Sequence, residues 1–203
     1  MNKLLLILIL TLSFQSLTKA DAISDFEIEG MNVGSSLLEY FSKKKIKEFI
    51  NDDRSYFYNK GDYVIIGIYE GNQKSITLNN YRSLGITTNK KDNKYKILSI
   101  ARQNYSYDDM NDCSTAQASI ASDIKKDVIE NSVKESTWKN DKYESGGIIV
   151  GKSKMHDFVF SDNSALRIIC YELNDEESIG AGWKVKMEVI INSKEFHEFL
   201  VGS

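Results

Sequence analysis

The sequence predicts an α+β fold, with an antiparallel sheet of about six to eight strands packed by an N-terminal pair of short helices and one long central helix. Three observations predict it. Short, β-branched runs such as Tyr63 to Tyr69 and Ala165 to Leu173 recur between turn-forming residues. Between them Cys113, Ala116, Ile120, Ile124 and Val128 follow one another at helical spacing. Helices followed by about three strands occur twice, suggesting two similar halves, 23–110 and 111–203, of a single domain spanning 23–203; no residue-level repeat accompanies them.

The first residues set the compartment. Met1-Asn2-Lys3 is short and positive, Leu4 to Leu12 is almost purely apolar, and Leu17 to Ala22 is small and polar. This is the pattern of a secretory signal peptide over residues 1–22, with cleavage after Ala20 or Ala22. Read as a membrane anchor, the run has roughly half the 20 residues a spanning helix needs. The mature chain is therefore expected in the periplasm or outside the cell, without stable membrane insertion. Losing Lys3, Lys19 and Asp21 leaves 24 of 26 basic and 28 of 29 acidic residues, a net charge of about −4. Without a basic excess there is no electrostatic footprint for nucleic acid or an anionic membrane surface. Apolar residues make up 41% of the chain, enough for a real core. Proline is absent, so turns fall to Gly, Asn, Asp and Ser.

The elements follow in order. Phe26 and Ile28 alternate with charged residues as in a short strand. Ser35 or Ser36 then caps a helix carrying Leu37, Leu38 and Phe41, and Ser42 caps a second with Ile46, Phe49 and Ile50 on its apolar face. The lysines of that second helix read as a solvated face rather than a binding patch. Asn51 to Arg54 breaks the helix, Tyr63 to Tyr69 is a strand bounded by Gly61 and Gly71, and KSITLNN continues in the same style. Leu84 to Thr88 and Tyr95 to Arg102 form a hairpin around Lys90 to Asn93, and the second arm has apolar residues on both faces, as a central strand would. A polar loop, Gln103 to Asn111, leads to the long helix Asn111 to Lys134. Asp108, Asp109 and Asp112 sit at its positive end, as helix-start chemistry rather than a calcium loop. After Trp138 a polar linker precedes strands at Ile148 to Gly151, His156 to Phe160, Ala165 to Leu173 and Trp183 to Ile191, the last following a loop NDEESIGAG. A terminal helix, KEFHEFLV, docks Phe196, Phe199 and Leu200.

The chain has two cysteines. Strand alternation places Cys170 on one face with Leu166 and Ile168, and Cys113 heads the apolar stripe of the long helix, so both face a core. In an oxidising compartment a Cys113–Cys170 disulfide is the expected state. Two separately buried thiols are the alternative, and a redox pair would call for a spacing the two do not have.

Motifs for catalysis are missing. His156 and His197 lack metal-ligand spacing and read as surface or boundary residues, no serine sits in a nucleophile motif, and no glycine-rich loop cradles phosphate. No metal or cofactor is expected. Aromatic residues offer the one hint of a ligand: Tyr56, Tyr58, Tyr105, Tyr107 and Trp183 combine area with a polar tip and suit a groove for sugar, peptide or another partly apolar ligand. They suit the core and rim of a sheet equally.

IEGMNVGSSLLEYFSKKKIK near the mature start, YKILSIA followed by a cysteine-headed helix, and IICYEL followed by GWKVKMEVIINSKEFHEFL resemble a group of small exported proteins from marine alphaproteobacteria. The resemblance implies export and a shared fold. It transfers no catalytic residue, since the group has no established activity. The glycine-methionine turn leading to two short helices and then strands also resembles the small lipoprotein of the outer-membrane barrel-assembly machinery and the β-lactamase-inhibitor-like folds, without that lipoprotein's lipidation cysteine. The expectation is an exported binding or adaptor module for an envelope protein or small ligand; the alternative is an envelope hydrolase without a recognisable motif.

Overall fold

The computed structural model describes residues 22–53, 55–57, 62–69, 83–128, 132–145 and 148–202. Residues 1–21, Gly61, Gly71, Tyr58 and the KSITLNN segment lie outside them. Eight strands, β1 (Tyr56–Phe57), β2 (Tyr63–Tyr69), β3 (Ser83–Asn89), β4 (Ser99–Tyr107), β5 (Val133–Ser145), β6 (Ile148–Phe160), β7 (Ala165–Leu173) and β8 (Val185–Asn192), form one antiparallel sheet in the order β1-β2-β3-β4-β8-β7-β6-β5. Helices α1 (Lys43–Ile50), α2 (Met110–Asp127), α3 (Asp175–Ala181) and α4 (Lys194–Gly202) complete an α+β fold. Two successive four-stranded meanders, each preceded by a helix, thus meet through their last strands, β4 and β8. No helix among the described residues is long and apolar enough to cross a membrane.

Strand alternation divides the sheet into two faces. On the first lie Ile66 and Ile68 of β2, Leu84 and Ile86 of β3, Ile100 of β4, Phe158 and Phe160 of β6, Leu166, Ile168 and Cys170 of β7, and Val185, Met187 and Ile191 of β8, all buried. Over this layer α1 packs on β2 through Ile46 and Phe49, and α2 packs mainly on β7 and β8. Ile23, Ile28, Met31, Val33 and Leu37 of the N-terminal segment join the same core, with Phe26 edge-on to Phe160 at 5.7 Å. Arg102 of β4, on the same side, pairs with Glu29 at 3.1 Å. Removing this apolar surface from water is the main favourable contribution to the fold.

Cys113 and Cys170 form the expected disulfide, with Cα atoms 6.0 Å apart. It ties the first turn of α2 to the middle of β7. Asp109 caps α2: its Oδ1 accepts from the N–H groups of Asn111 at 2.7 Å and Asp112 at 2.9 Å. The helix's buried stripe is Met110, Cys113, Gln117, Ala121 and Ile124. Gln117 donates through Nε2 to the carbonyls of Ile168 at 2.7 Å and Lys154 at 3.2 Å, so a polar side chain is satisfied inside this layer.

Several expectations are corrected by pairing partners that local patterns do not carry. α2 ends at Asp127, not Lys134, and Val133–Ser145 is strand β5. Val133, Thr137, Trp138 and Tyr143 suit a strand, and the long ladder to β6 decides the matter. The polar linker after Trp138 is therefore part of an edge strand, whose outer side meets water. Lys134, Lys139 and Lys142, with register shifts between Asn140 and Glu144, discourage further pairing at that edge. Ile148–Phe160 is one strand rather than two, and β4 begins at Ser99 and runs on to Tyr107 through the expected loop. Phe26 to Ile28 is not a strand: Glu29 and Gly30 at φ 54° and 74° close a tight turn that brings Ile28 against Met31. The first helix of the N-terminal pair is a single 3-10 turn, Leu37–Glu39, that buries Leu37 and leaves Leu38 exposed. The loop NDEESIGAG contains α3, capped by the Asn174 side chain and ended by Gly182 at φ 71°. β8 begins at Val185, leaving Trp183 just ahead of it.

Candidate functional site

The second face of the sheet is built from the residues between the core positions. α4 covers one end of it: Tyr63 of β2 packs on Phe196 and Phe199 at 5.5 and 4.7 Å and donates from its hydroxyl to Glu195. His197, expected at a surface or boundary, is buried there. Burial, then the nearby Arg167 guanidinium, holds its imidazole below the usual histidine value. Beside it Arg167 and Asp157, opposite each other on β7 and β6, form a bidentate pair at 2.7 and 3.0 Å.

Beyond that pair four rings converge, from β4, from the residue pair ahead of β8, and from β7 and β5. Gly182 turns the chain out of α3 so that Trp183 lies against Tyr105 of β4, centroids 5.7 Å apart and edge-on. Tyr171 lies across from Lys186 on the neighbouring strand. Tyr143, from β5, reaches over β6 to within 4.8 Å of the Tyr171 ring. That reach depends on the small residues Gly151 and Ser153 of β6, which pair with Tyr143 and Tyr171 respectively and raise no bulk between them. A Cβ on Gly151 would also collide with the Glu172 carbonyl, so glycine is required where β6 approaches β7.

Lys186 places its ammonium between the two halves of this ring cluster, 4.8 Å from the Tyr171 centroid and 5.1 Å from that of Trp183. Glu188, two residues along β8 and on the same face, accepts from Gln103 Nε2 at 2.8 Å. Gln103 Oε1 in turn accepts from the hydroxyls of Ser83 at 2.9 Å and of Tyr105. The polar groups thus form a connected chain behind the rings. Burial, reinforced by Glu188 and Tyr143, pushes the Tyr171 phenol far above its ordinary value of 10.0, so it stays a neutral hydrogen-bonding group. Tyr143 is raised by burial and then Glu188. Burial lowers Lys186 from 10.5, and Glu188 opposes that shift. Aromatic walls, an ammonium and a hydrogen-bonded carboxylate can together recognise a ligand that has an apolar face and polar or charged groups.

No family model, curated protein or solved structure matches this chain.

Of the aromatic residues singled out from the sequence, Tyr105 and Trp183 enter this cluster. Tyr107 does not. After a register shift in β4 it points to the helix-covered face, where its hydroxyl contacts Met187 Sδ at 3.8 Å and accepts from Asn104 at 3.3 Å. Tyr56 is exposed on β1 at the far edge, and Tyr58 lies outside the described residues. Tyr143, Tyr171, Lys186, Glu188 and Gln103 were missed, although part of the signal was present. If Cys170 faces the core, Tyr171 must face away, and Lys186 and Glu188 are the polar alternates of WKVKMEV.

A second cleft, of about 350 Å³, lies on the other face beside the start of α2. Several of its polar groups are already engaged: Lys152 pairs with Glu172 at 3.0 Å, Lys154 donates to Ser114 at 3.0 Å, and Asp109 occupies the helix cap.

Proposed function

We propose that the protein is an exported binding or adaptor module that meets a small ligand or an envelope partner at the ring cluster on the face of its sheet opposite α2. The observation that carries this reading is the convergence of Tyr105, Trp183, Tyr171 and Tyr143 around Lys186, with Glu188 held by Gln103 behind them. Export is supported by the tripartite N-terminal pattern and is compatible with the disulfide. The scaffold suits the role, because the Cys113–Cys170 crosslink and the packed helix layer hold the strands that carry these side chains.

Trp183 supplies the test. The chain has two tryptophans, and Trp138 is 61% exposed on the edge strand. Trp138→Phe therefore leaves Trp183 as the reporter of its own site. Its emission is expected to shift saturably with at least one member of a panel of saccharides, short peptides and organic amines. Emission unmoved by the panel, together with native mass spectra and envelope pull-downs that recover a bare monomer, overturns the reading.

A further inference from the structure

We propose that the ring cluster is a cage for a quaternary ammonium group, and that the Lys186 ammonium is its resident occupant in the unliganded protein. The proposal rests on the binding reading above and specifies its ligand chemistry. Two ring faces already hold a cation: Lys186 Nζ stands 4.8 Å from the centroid of Tyr171 and 5.1 Å from that of Trp183. The electron-rich faces of tyrosine and tryptophan attract a positive charge placed there. The geometry is preorganised, because Tyr105 packs edge-on to Trp183 and Tyr143 packs tilted on Tyr171, so each wall is braced by a second ring. Glu188 adds a negative charge on the same face, held in place by Gln103.

Occupancy by lysine favours exchange. A primary ammonium is compact and strongly hydrated, and it rides on a flexible four-carbon stem. Its burial is costly, as the downward displacement of the Lys186 titration indicates. A methylated ammonium is more weakly hydrated and loses less on leaving water, while Lys186 regains hydration by swinging out. The cage should therefore select trimethylammonium-type groups over ammonium itself. That group is shared by a free solute such as choline and by the phosphocholine headgroup of a lipid.

The experiment uses the full mature chain carrying Trp138→Phe, with tetramethylammonium and choline chlorides titrated against sodium and ammonium chlorides at matched ionic strength. Saturable change in Trp183 emission with the two methylated cations, and none with the controls, is the expected result. Lys186→Met keeps the apolar stem but removes the competing charge. If the lysine vacates the cage about one-tenth of the time, this substitution tightens binding roughly tenfold; calorimetry gives a second readout, and Lys186→Ala an independent variant. Choline binding without sedimentation on phosphatidylcholine vesicles assigns the free solute, and choline-competed sedimentation assigns the headgroup. No saturable response to tetramethylammonium in either the parent or the lysine variants overturns the cage, as does weaker binding on removing Lys186. A response to saccharide or peptide without one to methylated cations sinks the cage and leaves the binding reading standing.

Discussion

The two faces of the sheet come from the same strands, yet they are built to different ends. In β7, Leu166, Ile168 and Cys170 point to the helices and are buried, while Arg167 and Tyr171, between and beside them, point the other way and serve an ion pair and a ring cluster. In β8, Met187 faces α2 while Lys186 and Glu188 face the opposite side. A two-residue period thus lets one strand contribute stability on one side and recognition chemistry on the other. The difference teaches that substitutions one residue apart should act on separate properties.

The largest expected effect is on the covered face. Replacing both Cys113 and Cys170 by alanine opens a crosslink spanning 57 residues. It should cost about 4 kcal/mol on the chain-entropy view, read as a lowered urea midpoint relative to the oxidised protein. Ile168→Ala, at a fully buried position of the same face, should cost about 3 kcal/mol through lost burial and the cavity left behind. Its counterpart is Tyr105→Ala on the opposite face: stability should fall by about 1 kcal/mol or less, while the Trp183 response to any ligand is lost. A protein in which Tyr105→Ala destabilises as much as Ile168→Ala would break the division between faces.

Smaller effects sharpen it. Asp109→Ala removes the cap of α2 and should cost about 1 kcal/mol in urea titrations without touching Trp183 emission. Acidification tests the junction between α2 and the edge strand. Glu135 of β5 meets Lys125 and His156, each at 2.6 Å, and the lysine, then the histidine, hold its carboxyl below the ordinary 4.5. A carboxylate whose folded-state value is depressed stabilises the fold in full above the unfolded-state value, and that contribution disappears as pH falls through the folded one. Stability lost below about pH 4.5 should therefore be smaller in Glu135→Gln, as measured by urea midpoints across the acid range. An unchanged acid profile would show that this junction contributes nothing to it.

Much of the covered face was legible in the sequence. β2 and β7 run over their expected residues because both are β-branched runs bounded by turn residues. Ser42 and Asp109 act as local side-chain chemistry predicts. The helix stripe was anticipated at Cys113 and Ile124, but Gln117 was not, because a buried amide makes sense only once the Ile168 and Lys154 carbonyls stand opposite it. Half of the ring cluster was visible as Tyr105 and Trp183. Its other half was not, since Tyr143 lay in what reads as a linker.

The sequence by itself determined which residues of β7 face inward, where α1 and α2 start, and that two core-facing cysteines would pair. Those properties depend on neighbours within a few residues, or on there being a single choice of partner. Tertiary structure decided that Val133–Ser145 is a strand and that Tyr143 meets Tyr171 across Gly151 and Ser153. It also decided that Lys186 stands between Tyr171 and Trp183. Each of these requires a register between separate strands, set by hydrogen bonds and packing along whole ladders, and no local pattern encodes it.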